Sequence, residues 1–168
     1  MEDLENDPGD QLEWRDTYFI LFHQSGRPTL TQVEAVLSDA GRNLTLENLA
    51  ADDDGLFESL LVQAPEDHSA LEISYERGDA VVEQSAALAK QLKGEATADQ
   101  LKKLLRADAR FDVMHFERVT ADDDFGDGEG DEDFVEPVDP ASLLNVVEAL
   151  AKLTKGVPID PASGAILV

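Results

Sequence analysis

"TYFILFHQSGRPTLTQVEAVLSDAG", residues 17–41, is the stretch on which the fold turns. Its first seven residues are apolar and aromatic-rich, and they are too few for a typical helix. Residues 17–23 therefore read as a buried central strand. "QSGRP" breaks the run, and the apolar period then changes from two to nearly four. Leu30, Val33, Leu37 and Ala40 fall on one helical face, with Val36 beside them. Thr29 with Gln32, or Thr31 with Glu34, supplies a capping-box start, and Gly41 a stop.

Working outward, the next strand comes in two pieces, 43–49 and 56–64, with "AADDDG" between them. "SALEISYER" (69–77) alternates, with Leu71, Ile73 and Tyr75 inward and Glu72, Ser74 and Glu76 outward, as in a half-solvated strand. Residues 79–94 form a helix whose inner face carries Val81, Ser85, Leu88 and Leu92, with Asp79 as its cap. A second helix, 97–109, repeats the Thr-x-x-Gln start, and a strand follows over 110–119. "DPASLLNVVEALAKLTKG" (139–156) has Asp at the cap, Pro at the first helical position, lysines in the last turn and a closing glycine. The ending predicts a small hairpin around "DPASG". The order over 17–119, β-α-β-β-α-α-β, predicts an α+β fold: a ferredoxin-like antiparallel sheet with helices on one face, plus the C-terminal helix and hairpin. Residues 1–15 read as an acidic, flexible arm. Residues 16–168 form a single domain with an acidic loop at 120–136.

The chain has 168 residues, no cysteine and a net charge of −24. Without cysteine there are no disulfides, thiolate metal sites or thiol catalysis. The acidic opening lacks an apolar core segment and predicts no secretory signal. No apolar run approaches membrane-spanning length, so a cytoplasmic location is expected. The charge disfavours nucleic-acid backbones and anionic membranes as partners. It is also unevenly spread: residues 1–16 hold seven acids and one arginine, and 120–139 hold ten acids and no base.

The acidic stretch "TADDDFGDGEGDEDFVEPVD" fails as an EF-hand loop. Starting at Asp122 puts Asp127 where glycine belongs, and starting at Asp127 puts Val138 where glutamate belongs. It fails as a phosphate loop because acids crowd its glycines and no Lys or Arg accompanies them. It remains a solvated loop, a weak divalent-cation binder, or an electrostatic dock for a basic protein surface. In the last reading Asp122, Asp123, Asp124, Asp131, Glu132 and Asp133 supply charge, and Phe125 and Phe134 anchor.

No catalytic motif is present, and no cofactor or metal is implied: Gly-x-Ser-x-Gly, Walker A and His-Glu-x-x-His are all missing. Of three histidines, His68 lies in a turn. In the ferredoxin-like register His115 falls opposite Ile20, about 10 Å along the strands from His23, too far for joint ligation. The small-molecule candidate is the loop 23–29, where His23, Gln24, Ser25 and Arg27 could receive an anionic metabolite beside a helix start. The leading functional expectation is a non-enzymatic binding module that docks a basic protein. The alternative is an anion-binding regulatory domain or enzyme built on the 23–29 loop. Homodimerisation is expected if Leu71, Ile73 and Tyr75 need cover beyond the monomer.

Overall fold

The computed structural model describes residues 11–40, 44–64, 69–119 and 141–167. Their fold is α+β, with a seven-stranded antiparallel sheet and four helices. In chain order the elements are β1 (Gln11–Phe22), a 3-10 turn (Gln24–Gly26), α1 (Leu30–Ala40), β2 (Thr45–Ala51), β3 (Phe57–Ala64) and β4 (Ser69–Arg77). Then come α2 (Asp79–Gln91), α3 (Ala98–Arg106), β5 (Ala109–Val119), α4 (Ala141–Thr154), β6 (Val157–Asp160) and β7 (Ala165–Ile166).

The strand order is β2-β3-β4-β5-β1-β6-β7. This is not the ferredoxin-like order, in which the first strand lies parallel beside the third. Here β5 separates β4 from β1, and β1 pairs antiparallel with both β5 and β6. The helices also cover both faces rather than one. Ile20 and Phe22 pack with Val33 and Leu37 of α1 and with Val146, Val147 and Leu150 of α4. Leu21, on the opposite side of the strand, packs with Val81 and Ala89 of α2 and Leu104 of α3. The cause is in the sequence: β1 is apolar on both faces around residues 19–22, so burying it takes two layers.

The first core centres on three rings. Phe111 meets Phe22 at 4.9 Å and Phe57 at 5.3 Å between centroids, both edge-on, a geometry that adds about 0.5–1.5 kcal/mol per pair beyond area burial. Leu71 and Ile73 are fully covered within this core, and Tyr75 is partly buried against it. Across the second core, Ser85 Oγ donates to the Leu104 carbonyl at 2.6 Å, which satisfies the one hydroxyl on the buried face of α2.

Helix starts follow the sequence closely. Thr29 and Gln32 exchange reciprocal side-chain bonds at 2.9 and 3.1 Å before α1, and Thr97 and Gln100 do the same before α3. The cap of α2 is Gly78 rather than Asp79, because a φ of 126° at that position excludes most side chains. The strand β1 takes in residues 11–15, which composition had placed in the arm. Arg15 there bonds Glu117 across the pair at 2.8 Å, and Trp14 stands opposite Phe116, so a charge pair and an aromatic pair extend the strand. The acidic stretch 120–139, with its docking residues from Asp122 to Phe134, lies outside the described residues, as do Gly41, His68 and the Asp139–Pro140 cap.

Candidate functional site

β1 ends at Phe22, and His23 caps the 3-10 turn that follows by accepting from the Ser25 N–H at 3.1 Å. That bond uses His23 Nδ1 as an acceptor. The neutral ring therefore carries its proton on Nε2, a donor not engaged by the turn. Ser25 Oγ lies 2.9 Å from the same Nδ1. The turn is held from below by Asp108, whose two oxygens accept from the Gln24 N–H and Gln24 Nε2, each at 2.8 Å. Burial opposes ionisation of Asp108, but the Gln24 bonds outweigh it and hold the carboxyl below its ordinary range.

Gly26 sets this turn directly against the end of α4. A Cβ at Gly26 would stand 2.8 Å from the Thr154 carbonyl oxygen. The last turn of α4 closes through Gly156 N–H to the Ala151 carbonyl at 2.9 Å and Lys155 N–H to the Lys152 carbonyl at 3.4 Å. This six-to-one closure needs a left-handed residue at its corner, a place glycine usually takes. Here Lys155 takes it, at φ 60°. Thr154 is buried and returns its hydroxyl to the Leu150 carbonyl at 2.9 Å.

Between the turn, the end of α3 and the end of α4 lies a cleft of about 480 Å³. Phe22 and Leu153 form its apolar wall. His23, Ser25, Lys103, Arg106 and Lys155 bring polar and cationic groups to it, and among the described residues no carboxylate lines it. This is unusual for a chain with 37 acids and 13 bases. Lys103 has a distant partner in Asp99 at 3.7 Å, whereas Arg106 and Lys155 have no ion pair among the described residues. The cations also face the C-terminal ends of α3 and α4, each worth about half a negative charge. Three full positive charges exceed two such ends, so the cleft keeps net positive character.

Of the four residues singled out in the loop 23–29, the structure brings His23 and Ser25 to this cleft and turns the other two away. Gln24 is occupied by Asp108 and also accepts from Arg77 at 3.1 Å. Arg27 donates to the Phe57 carbonyl at 3.1 and 2.9 Å, pairs with Asp52 at 3.2 Å and stacks over the Tyr75 ring at 4.0 Å. It is a clasp between the loop and the β2–β3 turn. Lys103, Arg106 and Lys155 are the residues that the sequence does not single out. Their only signal is a cation near the end of each of two helices, which also serves the helix dipole.

His115 is remote from this cleft. It pairs with Asp16, not Ile20, and the seven-residue offset puts it about 23 Å from His23 along the strand. Its Nδ1 lies 3.1 Å from Asp16 Oδ1, while Tyr18 donates to Asp16 Oδ2 at 3.1 Å. Burial, and then the Asp16 charge, push the Tyr18 hydroxyl up to about 12. The phenol thus stays protonated as a donor. Among the described residues no group of three metal-ligating side chains is gathered, and no helix is long and apolar enough to cross a membrane.

No family model, no curated protein and no solved structure matches this chain.

Proposed function

We propose that the protein is a binding module for a small anionic ligand, held in the cleft between the 23–26 turn and the ends of α3 and α4. One observation carries this reading: in a chain of net charge −24, a concave site is lined by Lys103, Arg106 and Lys155 and, among the described residues, by no carboxylate. His23 Nε2 supplies a further donor, and Phe22 and Leu153 supply an apolar wall, the usual composition of a small-molecule site. The remaining negative charge does not forbid it. At about 0.1 M salt the screening length is about 10 Å, so distant carboxylates are muted while cations in contact are not. A cytoplasmic setting, where phosphorylated and carboxylated metabolites abound, belongs to the same reading.

Isothermal titration with inorganic phosphate in about 0.1 M salt tests it. Saturable binding that Arg106→Gln with Lys155→Gln abolishes supports the cleft. Absence of binding, or binding that the double variant keeps, removes it.

A second reading rests on the ten acids at 120–139. As a dock for a basic protein surface, that stretch would speed encounter electrostatically. Deleting 121–136 should then abolish a salt-sensitive partner captured at low salt and leave the melting temperature unchanged. The same partner captured by the deletion variant would contradict it.

A further inference from the structure

The anion cleft does not stop at Lys103 and Lys155. Both residues also line a second hollow of about 320 Å³, together with Glu148, Ala151, Lys152, Gly156 and Pro158. The two hollows therefore adjoin along a shared pair of lysines. The first adds Arg106, and the second adds Lys152. Four cations thus line the two adjoining hollows, and the one carboxylate among their described lining residues, Glu148, already pairs with Lys152 at 3.3 Å.

We infer that the ligand is a two-headed anion, with one anionic group among His23, Ser25 and Arg106, a second at Lys152, and a short linker crossing Lys103 and Lys155. This rests on the anion-binding reading of the first hollow and adds the class of ligand. A single small anion is satisfied by the first hollow alone and gains nothing from Lys152. A condensed phosphate chain, by contrast, spans both hollows, and joining two binding groups in one molecule makes the second contact intramolecular. Glu148 becomes a selectivity element: it holds Lys152 in place, and its charge opposes any second head that does not displace it from the lysine.

The probes are orthophosphate and tripolyphosphate, titrated at matched ionic strength into the wild type, Lys152→Gln and Glu148→Gln. Both substituted side chains are solvent-accessible, at 76% and 43% exposure, so the fold tolerates the changes. Valence alone favours tripolyphosphate, so the informative quantity is how each substitution alters the ratio of the two affinities. Lys152→Gln should reduce tripolyphosphate affinity about tenfold and leave orthophosphate affinity within about twofold, since one charge-assisted contact is lost for the longer anion only. Glu148→Gln should raise tripolyphosphate affinity selectively. If orthophosphate binds but neither substitution changes the ratio, the two-headed ligand is wrong and the single-anion cleft stands. If neither anion binds the wild type, both readings fall.

Discussion

Replacing Lys155 with glycine should make the protein at least as stable while making it a poorer binder. Lys155 holds the left-handed corner that ends α4, at φ 60°. A side chain in that conformation costs roughly 1–2 kcal/mol. Glycine relieves this strain, but it also frees the unfolded chain by about 0.4–1 kcal/mol. The balance is about 0–1.5 kcal/mol in favour of Lys155→Gly, or a melting temperature higher by as much as about 5 °C for a chain of this length. Loss of the ammonium removes one charge-assisted contact to a bound anion, worth about 1.5–3 kcal/mol. That corresponds to a dissociation constant about 10–100-fold higher. Differential scanning calorimetry reads the first effect and phosphate titration the second. Most substitutions in a binding site weaken function and stability together or leave stability alone, so the opposite signs are diagnostic. A melting temperature lowered by several degrees would refute the strain argument. Unchanged phosphate affinity would refute the role of Lys155 in the cleft.

Three further outcomes follow from the same geometry. Gly26→Ala places a methyl 2.8 Å from the Thr154 carbonyl oxygen; it should cost about 1–3 kcal/mol and weaken phosphate binding, both measurable by denaturant melts and calorimetry, and a variant of wild-type stability would contradict the close approach. Phe111→Ala empties the centre of the ring cluster with Phe22 and Phe57 and should cost about 3–5 kcal/mol in urea unfolding; a loss under about 1 kcal/mol would show that the cluster is not the core. Burial pushes the Asp112 carboxyl up despite its Arg110 partner, so its ionisation opposes folding. The stability linked to that protonation is complete below the ordinary aspartate range and is lost as pH rises through the raised folded value. Asp112→Asn should therefore gain on the wild type with rising pH across that window. A difference that shrinks instead, as read by melts from pH 3 to pH 7, would reverse the sign.

Local structure is legible wherever the sequence carries its own punctuation. The Thr29–Gln32 and Thr97–Gln100 pairs announce α1 and α3, and both pairs close as capping boxes. The alternation of 69–77 places Leu71 and Ile73 in the core. Strand partnership is a different matter, since it depends on surfaces distant in the chain. The apolar run at 19–22 is continuous on both faces, and that was the cue for helices on both sides of the sheet. The misplaced register of His115 has a concrete cause. β1 runs back to Gln11, through residues that the acidic composition of 1–16 hides, where Arg15 bonds Glu117 and Trp14 stands opposite Phe116. The site was half legible. His23 and Ser25 lie in one loop and could be found together, whereas Arg106 and Lys155 meet only because α3 and α4 end at the same corner. Arg27 looked free because its partners, Asp52, Phe57 and Tyr75, stand 25 or more residues away.

The central claim is that a positive cleft on an acidic protein holds an anion. Amide chemical shifts followed during an inorganic phosphate titration test it most directly. The account predicts saturable movement concentrated at Ser25, Gly26, Arg106 and Lys155, with the β2–β3 end of the sheet unmoved. Shifts that stay linear with added phosphate, or that scatter over the surface without favouring that corner, would contradict it.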